Sequence, residues 1–437
     1  MTSFEKPEIV RRTVFLDEVI LEPLKGQLLI APYGRKDKPF IEDIFEENGT
    51  RYKGPIDQAI LREKLKLPRI AEEPNGRRLL DEIKEHIHRY VDFSNRDLDA
   101  SAAYIILSYC YTDFNVIPYL RFRGDLGTGK SRGMDVVGGL CYKSIQVDGG
   151  MSAPSLFRLS NLYGGTMVID EADFAKSDES AEIIKALNAG FKEGGCVTRC
   201  DPKNVNDIEF FDVFGPKVLA SRKGWSDPAL ESRCFPIQMR ETTRQDVRLH
   251  LTSSFRIAEE QIREYMTWWR ADHLRNRLLE PDENKFREEL QQVDHRTAQI
   301  AFPLLHVERM FECDSVLNHL QEFATEAFES RRSSPEGMVA IAMIELATSG
   351  ELPFGAKAIQ QWLMKELGIS ERDFSPQRIG RLAQGMGIVK DRKFSGRFYD
   401  IETPLGLQSF KVAVQRYATL DELDAALDTI NQTRLDV

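Results

Sequence analysis

Eight residues restrict what this chain can fold into more than any others: Gly124-Asp125-Leu126-Gly127-Thr128-Gly129-Lys130-Ser131. They fit G-x-x-x-x-G-K-[ST], with Gly124 and Gly129 as the fixed glycines and Gly127 as a further point where no side chain blocks the backbone. Such a loop cradles phosphate only when a strand leads in and a helix leads out. Both are expected here. Val116-Ile117-Pro118-Tyr119-Leu120-Arg121-Phe122 is apolar and aromatic, and Ser131 to Leu140 is compact and amphipathic. The expected fold is therefore α/β with a parallel sheet. Backbone N–H groups of Gly124, Gly127, Thr128 and Gly129 would face the phosphates of ATP, Lys130 would neutralise them, and the Ser131 hydroxyl would hold Mg²⁺.

Forty residues beyond Lys130, the apolar run Thr166-Met167-Val168-Ile169 ends in Asp170-Glu171. An apolar run of this kind reads as a buried parallel strand, and ligands sit at the carboxyl ends of such strands. Asp170 is expected in the Mg²⁺ shell, and Glu171 is expected to orient and deprotonate an attacking water. A second buried run, Gly215 to Arg222, ends in Ser221, placed to hold that water or sense the γ-phosphate. Between the two runs, Gly194 to Cys200 and Asp207 to Val213 flank a polar tip with Lys203 at its apex. Lys203 reads either as a contact to a threaded strand or as a solvated turn lysine. A short helix over Asp227-Pro228-Ala229-Leu230-Glu231 then presents Arg233. This suits a planar cation offered to the γ-phosphate of an adjacent subunit, the alternative being an ion pair within the chain.

At 437 residues the chain has room for two or three domains. Its longest apolar runs fall short of the roughly 18 residues needed to span a bilayer, and its charged start, Glu5-Lys6 to Arg11-Arg12, is unlike a signal peptide. The expectation is a cytoplasmic protein with no membrane partner. The six cysteines include no C-x-x-C pair, so neither a zinc site nor a disulfide framework is indicated. A net charge of −10 argues against nucleic-acid binding over the whole surface but leaves room for a local basic channel.

The order phosphate loop, Asp170-Glu171, hairpin, Ser221, Arg233 resembles an AAA+ ATPase, and more narrowly the helicase modules of phage and plasmid primase-helicases and of superfamily-three helicases. The resemblance covers roughly residues 96 to 310. It implies a helical lid after the core, a ring of subunits, most often a hexamer, and ATP hydrolysis between them. Ser232-Arg233-Cys234 also matches the finger motif of clamp-loader ATPases. One departure is Ser221, where that family more usually has Asn.

The expected layout is an N-terminal β-rich, then helical region over 1–95, an ATPase core over 96–240 and a helical lid over 241–330. Glu329 to Pro335 reads as a linker, followed by a winged helix over 335–418 and a C-terminal helix over 419–437. Within the lid, Arg296 is the candidate for a second arginine reaching the nucleotide; a solvated helix arginine is the alternative. The winged helix would present Arg378 and Arg381 on a capped recognition-type helix, and Lys393 and Arg397 on a hairpin. Between Arg378 and Arg397 six basic residues stand against Asp391 alone, a local excess suited to a phosphate backbone. A protein-interaction role for that module is the alternative. The N-terminal region and the C-terminal helix are the candidate surfaces for protein partners. The expected function is an ATP-driven motor that translocates on or unwinds DNA; the rival is an ATP-dependent switch or loader within a protein complex.

Overall fold

Among the described residues, the opening stretch, whose apolar runs are broken by Pro23, Gly26, Pro32 and Gly34, holds seven short strands. They are β1 (Glu8–Ile9), β2 (Val14–Phe15), β3 (Val19–Pro23), β4 (Leu28–Pro32), β5 (Phe40–Glu42), β6 (Phe45–Glu47) and β7 (Thr50–Lys53). β2 to β5 form an antiparallel sheet in sequence order, and β1, β7 and β6 form a second, smaller one. The computed structural model describes residues 6–435 apart from 35–36, 148–149, 173–176, 201–206, 223–224, 226, 277–280, 314, 389–397 and 402. The chain divides into two units, Met1–Gln321 and Glu322–Val437.

The centre of the first unit is a five-stranded sheet. Its members are β8 (Tyr119–Arg123), β9 (Ile145–Val147), β10 (Met167–Ile169), β13 (Lys217–Ser221) and β14 (Cys234–Gln238); the hairpin β11 (Cys196–Cys200) and β12 (Ile208–Asp212) lies between β10 and β13 in sequence. The order is β14-β8-β13-β10-β9, and every neighbouring pair is parallel. Helices cover it, as a parallel sheet requires. Helix Asn95–Cys110, capped by Ser94, is buried from Ala100 onward, and its Tyr104 hydroxyl donates to Lys217 O at 2.8 Å. The order sets the carboxyl ends of β8, β13 and β10 side by side. Those ends run directly into Gly124, out of Ser221, and into Asp170, so three separate predicted segments meet at one edge.

The N-terminal sheet is joined to this core through a buried charge cluster. Glu22 on β3 is fully buried, and its carboxylate accepts from Thr13 Oγ1 at 2.7 Å and from the Tyr142 hydroxyl. Arg270, on helix Ser253–Asn276, donates to it from Nε at 3.4 Å, and Lys143 Nζ lies 3.7 Å away. Burial works against the Glu22 anion, but Lys143, Arg270 and the two hydroxyls outweigh it and hold the carboxyl below its ordinary value. The same burial pulls Lys143 down to about 8.

Replacing Glu22 with Gln leaves two buried cations uncompensated, which should cost about 3–5 kcal/mol, read as a fall in the urea midpoint. A depressed carboxyl contributes stability that is complete above its unfolded value, near 4.5, and lost as pH falls toward the folded value. The parent should therefore weaken below about pH 4.5 more steeply than Glu22→Gln; equal acid slopes would refute this.

The segment expected to be lid is helical from Ser253 to Asn276 and from His295 to Met310, but residues 240–252 form no regular element. Helix Ser253–Asn276 packs on β3 and β4 as well as on helix Asn95–Cys110. The expected linker requires correction. Glu329 to Arg332 is the last turn of helix Leu320–Arg332, and the break comes only at Ser333-Ser334. There the Ser334 side chain accepts from Gly337 N and Pro335 starts the next helix. Arg332 is fixed by a two-pronged pair with Glu422, at 2.7 and 3.1 Å.

In the second unit, helices Pro335–Thr348, Ala356–Leu367, Pro376–Gly385 and Pro404–Val414 surround one core that includes Met343, Phe354, Leu363, Ile379 and Phe410. The C-terminal helix Leu420–Leu435 belongs to that core through Leu423, Ala426 and Ile430. Most of the hairpin expected over 388–401 lies outside the described residues.

Candidate active site

Positive φ angles at Gly124, Gly127 and Gly129 mark the loop that follows β8. Gly129 stands at φ +85° and caps helix Lys130–Leu140, a left-handed conformation that side-chain-bearing residues adopt at a cost. A Cβ added at Gly124 would lie 2.7 Å from Thr128 Oγ1 and 2.8 Å from Met239 O, so only glycine fits. Thr128 Oγ1 and Lys130 Nζ both donate to Asp125 O, at 2.8 and 2.5 Å. The lysine ammonium is thereby kept at the mouth of the loop.

A cleft of about 390 Å³ opens there, lined by Gly127, Gly129, Lys130, Ser131, Asp170, Glu171 and Ser221 among others. Gly124 and Thr128 shape the loop without lining the cleft. Consecutive strand residues point to opposite faces, so Asp170 and Glu171 could not both face one cleft if β10 simply continued. The chain turns instead. Glu171 sits at φ +51° and its N–H donates to Asp170 Oδ1 at 2.8 Å. A non-glycine residue in this region costs on the order of 1–3 kcal/mol, and the turn brings both carboxylates to the cleft.

Ser221 is nearly fully buried, and its Oγ accepts from Arg121 Nε at 2.9 Å, leaving its own O–H to donate. Asp135, on the helix after the loop, is pushed above its ordinary value by burial and then by the Asp170 carboxylate. This concentration of negative charge is one a cation would relieve. Mg²⁺ takes few protein ligands and fills its remaining positions with water and phosphate oxygens; the Ser131 hydroxyl and Asp170 carboxylate fit that demand.

Arg233 and Arg296 do not line this cleft. Both line a second one, of about 510 Å³, with Phe191, Lys192 and Glu193. Their guanidinium carbons lie 5.4 and 5.5 Å from the Phe191 ring centre. Burial, and next the nearby Arg233, lower Arg296. Arg233 donates to Ala229 O and Arg296 to Gln299 Oε1, each at 2.5 Å. Neither forms an ion pair among the described residues, and Arg233 Nε is buried without a hydrogen-bond partner. Arg233 O accepts from Tyr119 N, at the start of β8, whereas the loop follows the end of β8. Four residue steps of strand separate these levels by about 13 Å, beyond the reach of an arginine side chain. Arg296, the candidate for a second arginine reaching the nucleotide, lies beside Arg233 in the second cleft.

Lys203, Lys393 and Arg397 lie outside the described residues. Arg378 is partly buried, donates to Asp373 O at 2.5 Å and has its guanidinium carbon 5.0 Å from the Phe374 ring centre, while Arg381 on the same helix is exposed. Sequence reasoning missed Arg132, which lines the loop cleft and donates to Arg248 O and Leu249 O at 3.0 and 2.6 Å. It also missed Arg121; the signal was a cation inside an otherwise apolar strand.

No protein-family model and no curated protein matches the chain. Among solved structures it is similar to the SCCmec type IV Cch, an active helicase, at 14% identity over 80% of this chain with a TM-score of 0.38. The chain spans 65% of the length of that protein. It is also similar to the apo A form of the NrS-1 C-terminal region, at 10% identity over 95% of this chain and 91% of that one, with a TM-score of 0.32. Likenesses this distant carry no weight beside the geometry above. Among the described residues, no helix is long and apolar enough to cross a membrane.

Proposed function

We propose that the chain is an AAA+ ATPase subunit that hydrolyses ATP at a site completed by a neighbouring copy, and that a ring of such subunits, a hexamer in the simplest case, works as a DNA helicase or translocase. The observation that carries this reading is the separation of the two clefts. One holds a glycine-rich loop and two carboxylates, and the other holds two arginines that have no carboxylate partner among the described residues and lie too far from their own loop to serve it.

In the proposed reaction the loop N–H groups and Lys130 hold the β- and γ-phosphates. Mg²⁺, held by Ser131 and Asp170, would neutralise phosphate charge when bound. Glu171 takes a proton from water as the water oxygen bonds to the γ-phosphorus. The bond from that phosphorus to the bridging oxygen breaks, and ADP leaves with the electron pair. Ser221 donates toward the water or the γ-phosphate, and the neighbour's Arg233 and Arg296 face the charge that develops.

DNA as the track is supported by the basic residues from Arg378 to Arg397. Tyr399 N donates to Phe354 O at 3.0 Å, a pairing in keeping with a winged helix whose returning wing strand meets the segment between its first two helices. Arg378, Arg381, Lys393 and Arg397 would contact phosphates there, and Lys203 would contact the strand from the β11–β12 hairpin. The test is ATP turnover with and without single-stranded and duplex DNA, beside oligomeric mass. Turnover should rise with assembly and with DNA, and DNA affinity should fall steeply with salt. Turnover that depends on assembly but ignores DNA would replace the helicase reading with a protein switch or loader, toward which the net charge of −10 inclines.

A further inference from the structure

Arg121 is fully buried in the middle of β8, opposite Leu219 of β13 and Pro236 of β14. A desolvated arginine in a central strand is expensive, and an apolar residue of similar size would fill the same space. Two of its contacts run in different directions. Nε donates to Ser221 Oγ at 2.9 Å, and Nη1 is bonded to Glu231 Oε2. The guanidinium carbon lies over the Trp225 ring, 3.8 Å from its centre. Trp225 itself donates from its backbone N to Glu231 Oε2 at 3.1 Å, and from Nε1 to Ala172 O at 2.5 Å.

Each far end of this cluster reaches a different cleft. Ser221 lines the loop cleft, and Ala172 follows Glu171 in the chain. Glu231 ends helix Pro228–Glu231, the turn to which Arg233 is tied through its N–H to Leu230 O at 3.1 Å and its guanidinium to Ala229 O. One rigid fork therefore touches both the hydroxyl beside the phosphate position and the turn that aims the arginine of the second cleft.

We infer that Arg121, with Glu231 and Trp225, is a positioning relay: occupancy of a chain's own loop cleft, felt at Ser221 and next to Glu171, sets the orientation of the Arg233 that the same chain offers to its neighbour. The inference rests on the ATPase reading above. Arg121 touches no reacting atom; it acts through Ser221 at one end and Glu231 at the other. A fork is needed because a single ammonium cannot hold both partners in a fixed plane.

Trp225 supplies the readout. Adding ATP with Mg²⁺ to the full chain should shift tryptophan emission, and Trp225→Phe should remove that shift, separating Trp225 from Trp268, Trp269 and Trp362. Arg121→Lys, which keeps the charge and loses the fork, should also remove it while equilibrium dialysis gives a parental nucleotide affinity. In turnover it should lower kcat about tenfold with KM unchanged. Glu231→Gln should behave alike, and serves if Arg121→Lys does not fold. An emission shift that survives Trp225→Phe, or that persists at parental size in both relay variants, overturns the relay and leaves the ATPase reading intact. A parent that binds no nucleotide in dialysis overturns the ATPase reading, and the relay with it.

Discussion

Glu171→Gln is expected to slow ATP turnover by a factor on the order of 10²–10⁴, the range a positioned general base supplies, while ATP and Mg²⁺ remain bound. The amide keeps the shape of the side chain and its place on the left-handed turn after Asp170, so the cradle and the metal ligands are undisturbed. What it removes is the lone pair that takes the proton. The measurement is single-turnover hydrolysis, with the bound nucleotide identified after gel filtration. Unhydrolysed ATP retained on the protein is the expected outcome. Parental turnover would move the base elsewhere, and loss of ATP binding would assign Glu171 to holding the nucleotide.

Arg233→Ala is expected to lower kcat by about 10³-fold or more, the range seen for arginines supplied to a transferring phosphoryl group, with nucleotide affinity unchanged because the residue stands at the far end of its own sheet. A mixing experiment gives the sharper result. Subunits carrying Arg233→Ala keep a working loop, and subunits carrying Lys130→Ala keep a working arginine, so each is inactive alone. Combined, they should recover turnover, since some interfaces pair the intact loop of one with the intact Arg233 of the other. If mixtures stay as inactive as the separate variants although both assemble, the shared site is ruled out.

What could be read from the sequence follows from where the information sits. The loop, the Asp170-Glu171 pair and Ser221 are each a local run in which a buried strand stops and functional side chains begin, and the parallel order of the sheet then brings them together. Arg296 is different. Its helix was legible, but only packing decides which end of the sheet it lies against, and that end is Arg233's. Arg121 was absorbed into an apolar run because a strand pattern records hydrophobicity and not what a buried cation is bonded to. Glu22 and Arg270 lie 248 positions apart, so no local window could pair them. Glu329 to Arg332 has the composition of a connector, yet nothing in it stops a helix before the Ser334 cap and Pro335.

The Glu22 cluster has a practical bearing on how the chain can be shortened. The first strands look dispensable, two small sheets ahead of the parallel one, and a fragment beginning at Asn95 would retain every residue named as lining either cleft. Such a fragment would strand Arg270 and Lys143 in an apolar interior without their counter-ion, and would uncover the face of helix Ser253–Asn276 on which β3 and β4 rest. The N-terminal sheet is thus built into the first unit and is not an appendage, and the smallest fragment expected to fold with both clefts intact includes it.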